Sequence, residues 1–290
     1  MSKTKEPIIL VPTDFTEEAE NAVAHAAKIA KAGGDEVRLI HIVNNDTKSK
    51  LKKAKESLDD LRDRMQKMAD AITAEHGIKA DYHLREGSIF STIGEVAEET
   101  NARLLVMGTH GVKGVQRIVG AFAVKVITTS PVPVIIVQRK RPADHGIKNI
   151  VSPIDHSRET KQKIIHIVSM AKKFDSEVHL FASYESDEFL INARNNNIAW
   201  AENLLRKNGV SFRVDHAESS GGGHAKQSIK YASEVGADML VILTDDGDVS
   251  VTEFVLGPDH EKVINNDAQI PVMCVNPIQE LYHIGNVLFS

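Results

Sequence analysis

Four glycines, Gly108, Gly111, Gly114 and Gly120, fall inside the run "VMGTHGVKGVQRIVGA" at 106–121. Glycines at this density clear side chains from the backbone and open positive φ angles. Successive N–H groups can then converge on one anion. A helix starting near Val115 would aim its N-terminus at the same point. Lys113 supplies a point charge there, and His110 a ring that titrates near neutral pH. The chemistry of such a stretch is phosphate binding; the competing reading is a plain strand-to-helix turn. No Gly-Lys-Ser/Thr follows at Walker spacing, and no G-x-G-x-x-G is present. A second candidate is Asp14 in "VPTDFT" at 11–16. Its carboxylate suits a ribose hydroxyl, a metal ion, or the cap of a following helix together with Thr16.

The elements that must position these residues occur twice. "IILVPTDFT" at 8–16 returns as "NIVSPIDHS" at 149–157, and "EVRLIHIV" at 36–43 as "EVHLFASY" at 177–184. "ARLLVMGTHG" at 102–111 returns as "ADMLVILTDDG" at 237–247, and "VPVIIVQ" at 132–138 as "IPVMCVN" at 270–276. Four matches in one order mark a tandem duplication. It predicts one domain over 1–140, a second over 146–278 and a tail over 279–290, with the basic "RKRPADHG" (139–146) spanning the join.

Within the first copy, short β-branched runs alternate with stretches of helical period. Thr16 caps a helix whose first turn holds Glu17, Glu18 and Glu20, and Gly33-Gly34 ends it. Leu51, Ala54, Leu58, Leu61, Met65, Met68 and Ile72 form one stripe. It predicts a single helix over about 48–76 lying on a sheet, rather than a coiled-coil seam. Further helices follow Gly87-Ser88 and Gly120, and strands are expected at 103–107 and 132–138. Strands separated by single helices imply a parallel sheet covered on both faces. Ligands of such sheets bind beyond the strand carboxyl ends, near the switch in strand order. Asp14 and Gly108 end the first and fourth strands there.

The ordered set resembles a universal stress protein domain. It comprises Pro-x-Asp-x-Ser/Thr after the first strand, His-Ile/Val ending the second, Gly-Thr-His-Gly after the fourth and "SPVPVIIVQ" at the end. The set runs through both copies, so nearly the whole chain is similar to a tandem universal stress protein. The resemblance implies an α/β fold of two doubly wound five-stranded parallel-sheet domains, and dimerisation through the last strand. It also implies two subclasses, one binding ATP through G-x2-G-x9-G-Ser/Thr and one binding no nucleotide. Pro12 and Asp14 match the positions that face adenine and ribose, Ile42 the apolar adenine contact, and Gly108 and Gly111 the G-x2-G. His110 and Lys113 lie in the same cradle, where His110 is expected to order backbone or touch phosphate. Only eight residues separate Gly111 from Gly120, and Ala121 stands where a hydroxyl residue would hold a phosphate. A lost hydrogen bond to a charged group costs about 1.5–3 kcal/mol, so nucleotide affinity is expected to be weakened about ten- to a hundredfold.

The second copy keeps Asp155 and Ser157. Thr244 replaces the first glycine, Asp245-Asp246 replaces Thr-His, and Pro258 replaces the hydroxyl residue. Carboxylates beside a triphosphate repel it, and proline donates no N–H, so this copy is expected to have lost ATP. "SSGGGHAK" at 219–226 reads as a strand-to-helix turn with the glycines of an anion loop. "HIGN" at 283–286 is a chance likeness to the HIGH signature of adenylyl-transferring enzymes.

The expected function is a stress-response switch or sensor that binds ATP or ADP, with Mg²⁺ as accompanying ion, in the first domain. The alternative is an assembly module that binds no nucleotide. No catalytic residue is assigned, and any ATP hydrolysis should be slow, since no positioned base or arginine finger is visible. A net charge of −5 leaves no footprint for nucleic acid. No apolar run reaches a membrane span, and no leader is visible in "MSKTKEP". Thirteen scattered histidines suggest no metal site, and Cys274 reads as core. The expected location is the cytoplasm. The expected assembly is an internal pseudo-dimer of the two domains, with a homodimer as a further step.

Overall fold

The computed structural model of the protein describes residues 6–109, 121–244 and 258–277. Residues up to Gly146 build one compact unit, and Ile147–Ala268 with the segment from Val272 build a second.

In the first unit the described elements are β1 (Ile8–Pro12), α1 (Glu17–Gly33), β2 (Glu36–Val43), α2 (Asn45–Ala54), α3 (Leu58–His76) and β3 (Ala80–Glu86). They continue with α4 (Ile89–Glu99), β4 (Ala102–Gly108), α5 (Ala121–Thr129) and β5 (Val134–Val137). All pairings are parallel in the order β3-β2-β1-β4-β5. The central strands are buried on both faces: Ile8, Ile9, Leu10 and Val11 of β1 are at most 1% exposed. That explains why they read as unbroken apolar runs. The order reverses at β1, which has β2 on one side and β4 on the other. The switch point therefore lies between the loops that follow β1 and β4.

The second unit repeats the plan with β6 (Asn149–Ile154), α6 (Gln162–Phe174), β7 (Glu177–Ala182), α7 (Glu188–Lys207) and β8 (Ser211–His216). It ends with α8 (His224–Glu234), β9 (Met239–Leu243), α9 (Pro258–Ile264) and β10 (Val272–Val275). Its strands are parallel in the order β8-β7-β6-β9-β10.

The α1 boundaries follow the sequence. The Ala19 N–H donates to the Thr16 hydroxyl at 3.3 Å, and Gly34 closes the helix in the left-handed region. Ala19, Ala22, Ala26 and Ala30 are buried, so the helix lies close on the sheet.

The single helix expected over about 48–76 is two helices. Lys55 turns left-handed after α2, and Ser57 starts α3 with a capping box: its hydroxyl accepts from the Asp60 N–H, and Asp60 accepts from the Ser57 N–H. Leu51 and Leu61, one from each helix, meet over Val43. Ala54 and Leu58, which the stripe placed on the sheet, fall at the break and are exposed. Ser57→Ala should lower stability by about 1 kcal/mol, read as a drop in the chemical-denaturation midpoint at unchanged slope.

Candidate functional site

Chain direction and parallel pairing bring the carboxyl ends of β1, β2 and β4 to one edge of the first unit, where a cavity of about 660 Å³ opens. Its floor is apolar, from Pro12, Ile40, Ile42 and Met107. Its rim carries Asp14 and Gly108. Four residues singled out from sequence, Pro12, Asp14, Ile42 and Gly108, thus line one space. Ala121 is the first residue of α5. His110, Gly111, Lys113 and Gly120 lie outside the described residues, as do Asp245 and Asp246 of the second copy.

Asp14 braces Thr16, the residue that caps α1. One carboxylate oxygen accepts from the Thr16 hydroxyl at 2.6 Å and from the Thr16 N–H at 3.2 Å. The same bracket recurs in the second unit, where Asp155 accepts from the Ser157 N–H at 3.0 Å and its hydroxyl at 2.5 Å. The bracket fixes the orientation of each carboxylate.

Between Asp14 and Thr16, Phe15 sits at φ 64°. A non-glycine residue there costs about 1–3 kcal/mol unless its surroundings hold it. Its N–H donates to the Thr13 hydroxyl at 3.2 Å, its ring lies 5.0 Å from His41, and the Arg64 guanidinium covers it at 5.1 Å. Arg64 is itself held by Glu56 through two contacts of 2.8 Å.

His41, at the end of β2, locks the base of the loop. Its Nδ1 lies 2.7 Å from the Thr13 carbonyl oxygen, while the Thr13 N–H donates to the Ile40 carbonyl at 2.9 Å. Burial lowers the His41 pKa below its ordinary 6.5, against the opposing pull of the Thr13 carbonyl. The ring is therefore a neutral donor to Thr13, and its other nitrogen stands 3.4 Å from the Thr47 hydroxyl.

Gly108 has a packing reason of its own. A Cβ there would lie 2.4 Å from the Glu18 carbonyl oxygen and 2.6 Å from its carbon. The first turn of α1 therefore presses on the end of β4, and only glycine admits it.

Sequence reasoning missed Phe15, His41 and Arg64. The strained φ of Phe15 leaves no trace in its residue type. Arg64 belongs to a face that reads as solvated. His41 was visible only as part of a strand-ending pattern.

Among the described residues no cluster of His, Cys, Asp and Glu could hold a metal ion, and no helix is long and apolar enough to cross a membrane. Cys274 is buried in β10, where burial raises its thiol pKa.

Comparison with known proteins agrees with this architecture. The model of the "Universal stress protein family" matches residues 7–138. A universal stress protein of Methanocaldococcus jannaschii is 32% identical over 140 residues, covering 46% of this chain and 82% of that protein. One from Synechocystis is 32% identical over 135 residues, covering 44% and 83%. The crystal structure of a universal stress protein from Archaeoglobus fulgidus superposes with a TM-score of 0.75 at 20% identity, covering 93% of this chain and 98% of the other. That last likeness shows the shared fold.

Proposed function

The chain belongs to the universal stress protein family, and on that premise we propose that its first unit binds an adenine nucleotide, ATP or ADP, and acts as a switch or sensor. The observation that carries this reading is the cavity of about 660 Å³ at the switch point, apolar at its floor and bounded by Asp14 and Gly108. A volume of that order suits a small-molecule ligand. Adenine would lie on Pro12 and Ile42, the ribose hydroxyls would donate to Asp14, and the phosphates would run past Gly108 toward His110, Gly111, Lys113, Gly120 and Ala121.

The test is mass spectrometry of ligand released from the denatured protein, followed by calorimetric titration with ATP and ADP. One nucleotide per chain is expected. Asp14→Asn keeps an acceptor for Thr16 but loses the charge, and should weaken ATP by about tenfold or more. Ala121→Ser restores a hydroxyl beside the proposed phosphates and should tighten ATP by about tenfold. No heat of binding at millimolar nucleotide would overturn the reading and leave the unit an assembly module. One observation favours that second reading: the need for Gly108 is met by its contact with Glu18, with no ligand involved.

A further inference from the structure

The second unit has its own cavity, of about 400 Å³, at the carboxyl ends of its strands. Its walls differ in kind from those of the first unit. Counting from equivalent strand positions, Ile8 with Asn149 and Glu36 with Glu177, buried Ala19 and Ala22 of α1 become Thr160 and Lys163. Both replacements are buried, at 1% and 5% exposure, and both line the cavity. The Lys163 ammonium donates to the Pro153 carbonyl. The Thr160 hydroxyl makes no hydrogen bond among the described residues. A hydroxyl buried without a partner is a cost that a bound acceptor or donor would remove.

A second observation converges on the same space. The glycine run "SSGGGHAK" delivers the N-terminus of the eleven-residue helix α8 to the cavity, with His224, Ala225 and Gln227 on its wall. Gly223 occupies the cap position and provides no side-chain hydrogen bond. In the first unit Ser88 closes the equivalent helix with its own hydroxyl, which accepts from the Phe90 N–H at 3.2 Å. With no side-chain cap, α8 turns the positive end of its helix dipole toward this space. Both ring nitrogens of His224, the first residue of that helix, also have no hydrogen-bond partner among the described residues.

The opposite charge is present as well. Asp155 and Glu185 line the same cavity, the first bracketing Ser157 and the second accepting from the Ser183 hydroxyl at 2.9 Å and lying 3.0 Å from His156. A polyphosphate would meet these two carboxylates, and a simple amine would meet Lys163 and the helix end. A ligand carrying one anionic and one cationic group is matched by both.

We propose that the cavity of the second unit binds a small zwitterion of the α-amino acid class. Its carboxylate is held by the α8 N-terminus with Thr160 and Lys163, and its ammonium by Asp155 and Glu185. This site is independent of nucleotide binding in the first unit.

The test titrates the full-length chain with each of the common α-amino acids. For any that bind, the matching deaminated acid and decarboxylated amine are titrated too. One amino acid per chain is expected, with both truncated analogues weaker by about tenfold or more. Thr160→Val should weaken binding about fivefold with an unchanged or raised melting temperature, because the hydroxyl it removes has no hydrogen-bond partner among the described residues. Lys163→Met should weaken it by about tenfold or more. Equal binding of the deaminated acid would make this a simple anion site, and equal binding of the amine a simple cation site; either overturns the proposal. So would binding indifferent to both substitutions, or none at about 10 mM of any amino acid.

Discussion

Gly108→Ala is expected to lower the melting temperature of the first unit by about 5–10 °C and to abolish nucleotide retention. The added methyl would overlap backbone, with 2.4 Å to the Glu18 carbonyl oxygen and 2.6 Å to its carbon, so no rotamer change relieves it. Either the first turn of α1 or the end of β4 must move. Forced repacking of this kind costs about 1–3 kcal/mol. The displacement reaches the site directly, because the Thr16 cap at the start of α1 is also what holds Asp14. Calorimetric melting and ATP titration of the same variant separate the two effects. A variant that melts like the wild type would mean that α1 does not press on β4 as described. A variant that melts early yet binds ATP normally would detach the proposed phosphate path from Gly108.

The contrast between Gly108 and Phe15 shows where sequence reasoning reaches and where it stops. Gly108 stood out as the first of four closely spaced glycines, but its neighbour Glu18 is distant in sequence. Only the packed fold reveals that the glycine accommodates a helix. Phe15 carried no signal at all, since its left-handed backbone is imposed by Thr13, His41 and Arg64 together. By contrast the parallel sheets, the duplication and the α1 caps were all legible. They rest on local periodicity and on short-range side-chain-to-backbone bonds, which residue types encode directly. The α2–α3 break was legible too, as Ser57-x-x-Asp60, but the apolar stripe running through it suggested continuity. In the second unit, neither Thr160 nor Lys163 stood out by residue type. Both are buried in the fold, Thr160 on the short 3₁₀ turn that precedes α6 and Lys163 on α6 itself.

Acidification should destabilise the second unit by about 3 kcal/mol through His224 alone. Desolvation is the largest cause lowering its pKa from 6.5 to about 4; Lys163 acts in the same direction, and Asp155 and Glu185 oppose it. The ring is also stacked on Phe181, with centroids 5.7 Å apart. The folded-state pKa lies below the unfolded one, so the unfolded chain takes up a proton first as pH falls. Stability is complete above about pH 6.5, declines between 6.5 and 4, and levels off below the folded pKa. His166, on α6 of the same unit, is lowered by burial and acts with the same sign. Carboxylates add their own loss at lower pH, so the informative quantity is a difference. Trp200, the single tryptophan, lies in α7 of this unit and reports its urea unfolding without interference from the first. Between pH 7.5 and 4, the stability of the wild type should fall about 3 kcal/mol further than that of His224→Gln, whose amide cannot take up the proton. Parallel curves for the two proteins would show that the folded chain lets His224 protonate freely. The imidazole would then not be sealed between Phe181 and the cavity wall. Running the comparison without added amino acids keeps ligand linkage out of the difference.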